Sequence, residues 1–146
     1  MSKEDLIQSE NRWKEITLCA NNLFNKNAFD EAKSQYDTAL KEAGKLVSHF
    51  NSCTNIKIPV VPIFVISCNN LANTYQELGD SSLAEVQLRR AVFFIIHLKE
   101  QEDLSPQVTE SLQRELSKVV LTYSEFCKKT NQEDKSEKVF QNLSFN

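Results

Sequence analysis

Shifted by 52 residues, the chain matches itself. Ala20 falls on Ala72 and then on Ser124, and Ala32 falls on Ala84 and then on Ser136. Ile16 meets Cys68 and Val120, and Tyr36 meets Leu88 and Phe140. Ala39 meets Ala91, although the third copy has Leu143. Small residues recur with small ones and large apolar residues with large apolar ones. The two small positions keep one separation in every copy, between 20 and 32, 72 and 84, and 124 and 136. An internal repeat constrains a fold more than any single motif, because each copy must be one supersecondary unit.

The unit is a pair of helices. Apolar residues recur at three and four positions in Ile16, Cys19, Ala20, Leu23 and Phe24, the stripe of an amphipathic helix. Tyr36, Ala39, Leu40, Ala43, Leu46, Val47 and Phe50 repeat the pattern, as do Leu88, Ala91, Val92, Ile95 and Leu98, and Leu112, Leu116, Val119, Val120 and Tyr123. Ser105 before Pro106 is an N-cap with proline in the first turn. Pro59 and Pro62 mark the start of another helix, and Gly79-Asp80 marks its end. With 2 Gly and 3 Pro in 146 residues, the chain lacks the turn residues an all-β fold needs. The expected fold is all-α, with six main helices in three antiparallel pairs. Where two helices cross closely, side-chain volume must be small, so Ala20 with Ala32 and Ala72 with Ala84 are expected at the crossings.

Charge and cysteine usage narrow the function. A net charge of -3 gives no general attraction to nucleic acid. The longest apolar run, Ile58 to Ile66, is too short to span a bilayer and holds two prolines. A cytoplasmic protein without a membrane partner is expected. Cys19, Cys53, Cys68 and Cys127 form no CxxC pair and are expected as free thiols, with no metal and no cofactor. His49 and Cys53 lie one helical turn apart, but two ligands do not make a metal site. No nucleophile–base order with supporting turns and no glycine-rich phosphate loop is visible, so no enzyme activity is expected.

The stretch "NLANTYQELGDSSLAEVQLRRAV" resembles a tetratricopeptide repeat, and is most similar to the kinesin-light-chain-like kind. Leu71 and Ala72 stand for the consensus Leu-Gly, Tyr75 for its Tyr and Gly79-Asp80 for its turn, with Ala84, Leu88 and Ala91 following at the family's spacing. "LCANNLFNKNAFDEAKSQYDTAL" is a second match, with Asn27 where glycine is usual. "LTYSEFCKKTNQEDKSEKVFQNL" is a weaker third, without the glycine and the alanines. The resemblance implies one domain over residues 1–146, with repeats at about 3–52, 59–103 and 105–146, stacked as an α-solenoid. The family period is about 34 residues, so longer helices and connections fill out each copy here, with the first repeat's second helix running on to about Phe50.

The resemblance also implies a binding scaffold. First helices of such repeats line a concave face that holds a peptide or a partner's helix. Its side chains here would be Lys14, Thr17, Asn21, Phe24 and Asn25, then Ile66, Asn69, Asn70, Asn73, Gln76 and Glu77, then Lys118, Leu121, Glu125, Lys128 and Lys129. Asparagine offers both donor and acceptor, which suits capture of a peptide backbone. The family's carboxylate clamp is similar at Asn21, Asn70 and Lys118, while Thr17 and Thr122 stand where it has cations. One alternative is a secretion-type chaperone for a single client. Another is a homodimer built on Phe93, which lies opposite the stripe of its helix, and on Phe140, Leu143 and Phe145 of the last repeat, which no polar capping helix follows.

Overall fold

The computed structural model describes residues 1–101 and 103–143. Its helices are α1 (Lys3–Asn25), α2 (Phe29–Val47), α3 (Phe50–Asn55), α4 (Val60–Glu77), α5 (Ser81–Lys99), α6 (Pro106–Lys129) and α7 (Glu133–Leu143). There is no strand among the described residues. Six of these helices are the expected ones, and α3 is an addition.

The repeat is written in the backbone. α1, α4 and α6 end at residues 25, 77 and 129, and α2, α5 and α7 begin at 29, 81 and 133. Asn27, Gly79 and Asn131 all take the left-handed conformation, with φ of 63°, 81° and 58°. The N–H groups of Ala28, Asp80 and Gln132 donate to the carbonyls of Leu23, Tyr75 and Cys127 at 2.9, 2.9 and 2.7 Å. Those of Asn27, Gly79 and Asn131 donate to Phe24, Gln76 and Lys128 at 2.9, 3.0 and 3.4 Å. This is one helix-ending motif built three times, closing the last carbonyls of each first helix. Glycine suits it because it has no Cβ, and asparagine is among the few other residues that tolerate it. The third copy therefore keeps the turn that its sequence obscures.

α2 stops at Val47 instead of reaching Phe50. The Ser48 hydroxyl donates to the Lys45 carbonyl at 2.8 Å, and the His49 Nδ1 lies 3.1 Å from the same oxygen. The His49 N–H turns to Leu46, three residues back. Side chains thus compete for the carbonyl that would have continued the helix. α3 then sets Cys53 into the core, where its thiol donates to the Leu46 carbonyl at 3.6 Å.

The described chain forms two compact units, Met1–Gln87 and Leu88–Asn146. In the first, α1 packs on α2 and α2 on α4, with α3 against both α2 and α4. Its core holds Leu6, Trp13 and Ala20 of α1, Ala32, Tyr36, Ala39, Leu40, Ala43 and Leu46 of α2, and Ile63, Cys68, Leu71 and Ala72 of α4. The buried face of α1 is Leu6, Ser9, Trp13, Thr17 and Ala20, rotated from the expected stripe. Cys19 is exposed and Ile16 only half-buried. Trp13 decides the rotation: its indole N–H donates to the Ser67 hydroxyl of α4 at 2.7 Å, with both groups buried. Fully burying a large side chain stabilises by roughly 1.5–3 kcal/mol, and Ser9 and Thr17 are small enough to share that face.

In the second unit α6 packs on α7. Leu88, Ala91, Val92, Ile95 and Leu98 are buried along α5, and Leu112, Val119, Tyr123, Phe126 and Cys127 along α6. The Ser105 side chain caps α6 through the Val108 N–H at 3.2 Å, as its place before Pro106 implies.

Candidate partner-binding faces

α1 is fixed on α2 by an ion pair across the helices. The Arg12 guanidinium donates to Glu42 at 2.5 Å, and the Lys45 ammonium lies 2.7 Å from the other carboxylate oxygen. Burial alone raises the Glu42 carboxyl, but hydrogen bonds from Lys45 and Arg12 outweigh it and hold the group below its ordinary value. What α1 leaves outside is therefore determined by Trp13 and Arg12.

The side chains expected in a groove divide into exposed and structural ones. On α1, Lys14 is exposed, with its ammonium 3.7 Å from Glu10. Asn25 is exposed, while Asn21 and Phe24 are half-buried. The Asn21 side-chain oxygen accepts a hydrogen bond from the Tyr36 hydroxyl, so it serves the α1–α2 contact. Burial pushes the Tyr36 phenol up, which keeps it a donor. Phe24 stacks edge-on to Phe29 at 5.1 Å between centroids. Thr17 is a correction: it is buried, with 8% of its surface exposed, and its hydroxyl has no partner. The rotation imposed by Trp13 turns it into the core.

On α4, Ile66, Asn73, Gln76 and Glu77 are exposed and Asn69 and Asn70 half-buried. The face offers amides beside an apolar side chain. On α6, Lys118, Leu121, Thr122, Glu125, Lys128 and Lys129 are exposed. Lys118 lies 3.4 Å from Glu115, which reduces the net field it presents. Sequence reasoning missed Leu18, which is 63% exposed. Its signal was present: it stands one turn after Lys14 and three residues before Asn21. Leu121 is similarly outlying at 60%.

The residues expected in self-association are dispersed. Phe93 is 41% exposed, opposite the buried stripe of α5. Phe140 is half-buried and stacks edge-on to Tyr123 at 6.4 Å, which gives it a packing role within the unit. Leu143 lines a cavity of about 380 Å³ with Ile96, Lys99, Glu100 and Leu116. Phe145 lies outside the described residues.

His49 and Cys53 are each engaged with α2 carbonyls, and no group of three or more His, Cys, Asp or Glu side chains gathers in a metal-binding arrangement among the described residues. No described helix is long and apolar enough to cross a membrane.

A family model described as "Protein of unknown function (DUF2753)" matches residues 11–145, which include all three helix-ending turns. The chain belongs to the DUF2753 family. No curated protein matches, and no solved structure matches.

Proposed function

We propose that this protein is a binding module of tetratricopeptide-like helix pairs, stacked as an α-solenoid, that takes a peptide or partner segment on the exposed faces of its first helices, α1, α4 and α6. The observation that carries the reading is the threefold turn at Asn27, Gly79 and Asn131, one geometry at one spacing. A chain that repeats a helix pair in this way has the construction of repeat scaffolds, whose first helices present side chains to partners. The make-up of those helices adds support. Leu18, Ile66 and Leu121 offer apolar anchors, Asn69, Asn70 and Asn73 offer donors and acceptors, and Lys14, Lys118, Lys128 and Lys129 offer charge. In this reading the protein acts in the cytoplasm as an adaptor, without a cofactor and without catalysis.

The test begins with a partner retrieved from the native host on the immobilised protein. Its affinity is then measured for Leu18→Ser, Asn73→Ala, Lys118→Ala and Leu121→Ser, each first checked for unchanged helicity. All four sites are exposed, so folding is expected to survive. Losing an apolar anchor or a charge-assisted contact weakens binding by about tenfold or more. Unchanged affinity in all four variants would move the functional surface off these helices. Asn21 is unsuited to the test, because its substitution removes the Tyr36 contact as well.

A further inference from the structure

We propose that a cavity between α5 and α7, on the second helices of the last two pairs, binds an acidic peptide segment of a partner protein. The cavity measures about 270 Å³ and is lined by Arg89, Phe93, Lys135, Lys138, Val139 and Asn142. Three of these six side chains are cations and none is an acid, in a chain of net charge -3. A concentration of one sign against the sign of the whole molecule attracts the opposite charge locally.

Lys135 and Lys138 supply most of the cavity's positive charge. Arg89 follows the buried Glu85 by one helical turn, so its charge is partly balanced from its own helix. Lys135 and Lys138 stand one turn apart on α7, on the face that also carries Val139 and Asn142. Of the acids of α7, Glu133 and Glu137 fall on the opposite side of a 100°-per-residue wheel, while Asp134 stands one turn before Lys138 at the edge of the face and leaves Lys135 as the cation farther from it. Lys135 is steadied by its bond to the Gln132 side-chain oxygen at 2.8 Å, and Lys138 is exposed.

The apolar half of the lining selects among anions. Phe93 keeps 41% of its surface exposed and lines the cavity with the cations and with the buried Val139. A bare inorganic anion leaves that aromatic face wet. A segment carrying a carboxylate next to an aliphatic side chain satisfies both halves, with the carboxylate toward Lys135 and Lys138 and the aliphatic group on Phe93. The exposed phenylalanine thereby gains a role without a second copy of the chain. This site shares no residue with the faces of α1, α4 and α6, so either proposal can fail alone.

The experiment is a titration of the full isotopically labelled chain, followed by backbone amide resonances. The probes are an acetylated and amidated hexapeptide of alternating leucine and glutamate, its glutamine analogue, and inorganic phosphate. The glutamate peptide is expected to shift the resonances of Phe93, Lys135 and Lys138, and the glutamine analogue to bind about tenfold more weakly or worse. The double variant Lys135→Gln with Lys138→Gln is expected to show the same loss at unchanged helicity. Phe93→Ser is expected to weaken the peptide while leaving phosphate binding unaltered. Equal affinity of the glutamine analogue, undiminished binding to the double variant, or phosphate matching the peptide in affinity and in shifted resonances would each overturn the proposal, the last by making the cavity a small-anion site.

Discussion

Among single residues, the cysteines show how far burial and chemistry diverge from composition. Cys53, Cys68 and Cys127 are buried and Cys19 is exposed. Burial pushes the Cys53 thiol up, with the Glu10 carboxylate adding to the effect, so it stays protonated and unreactive. A thiol reagent applied to the native protein is expected to modify Cys19 quickly and the other three only after denaturation, as read by intact mass. Rapid native labelling of Cys53 would contradict its burial on the inner face of α3. The sequence pattern assigned Cys19 to the core because it stands three and four residues from apolar neighbours. It missed Trp13, Ser9 and Thr17, because a hydrophobicity pattern scores Ser and Thr as polar although both can lie in a close helix contact.

For the helices, the alanines are the telling residues. Ala20, Ala32 and Ala84 have no exposed surface and Ala72 has 2%. A buried alanine leaves no open surface for a larger side chain, so Ala84→Leu is expected to overpack its surroundings and cost about 1–3 kcal/mol. Denaturant unfolding of the variant checks this, and an unchanged midpoint would place the crossing elsewhere. The third copy substitutes Ser136, which is also buried, with its hydroxyl donating to the Glu133 carbonyl at 3.0 Å. That bond satisfies the polar atom within its own helix, which is how serine stands in for alanine there. Helix pairs and their turns were thus legible from small residues at a fixed spacing. α3 was not, because the break at Ser48 and His49 depends on side chains folding back on Lys45.

Across the whole molecule, the charge most tied to stability is the carboxylate of Glu42. Glu42 is nearly buried, and its carboxyl lies below its ordinary value because Lys45 and Arg12 bond to the charged form. A carboxyl depressed in the folded state adds stability that is present above its unfolded value and is lost as pH falls through the folded value. Glu42→Gln is therefore expected to cost about 1–2 kcal/mol near neutral pH, and the difference from the parent should shrink on acidification. Unfolding free energies across that range are the measurement, and a difference independent of pH would remove Glu42 from the acid response. Lys118, Lys135 and Lys138 do not share in this pairing and remain exposed or half-exposed toward solvent. In the proposed readings they are the charges that meet a partner.

What the sequence determined by itself was local and periodic. The all-α class, the six main helices, the Ser105 cap and the Gly79 turn follow from backbone propensity and from a 52-residue recurrence, and neither needs knowledge of a neighbouring helix. Tertiary structure decided which way each helix turns about its own axis. The Trp13–Ser67 bond rotated α1, buried Thr17 and left Leu18 outside. The cations around Phe93 came together in the same way, since Arg89 and Lys138 are far apart in the chain and only the packing of the second unit lines one cavity with both. Rotation and juxtaposition are set by contacts between distant residues, and a periodic pattern along one chain carries no record of them.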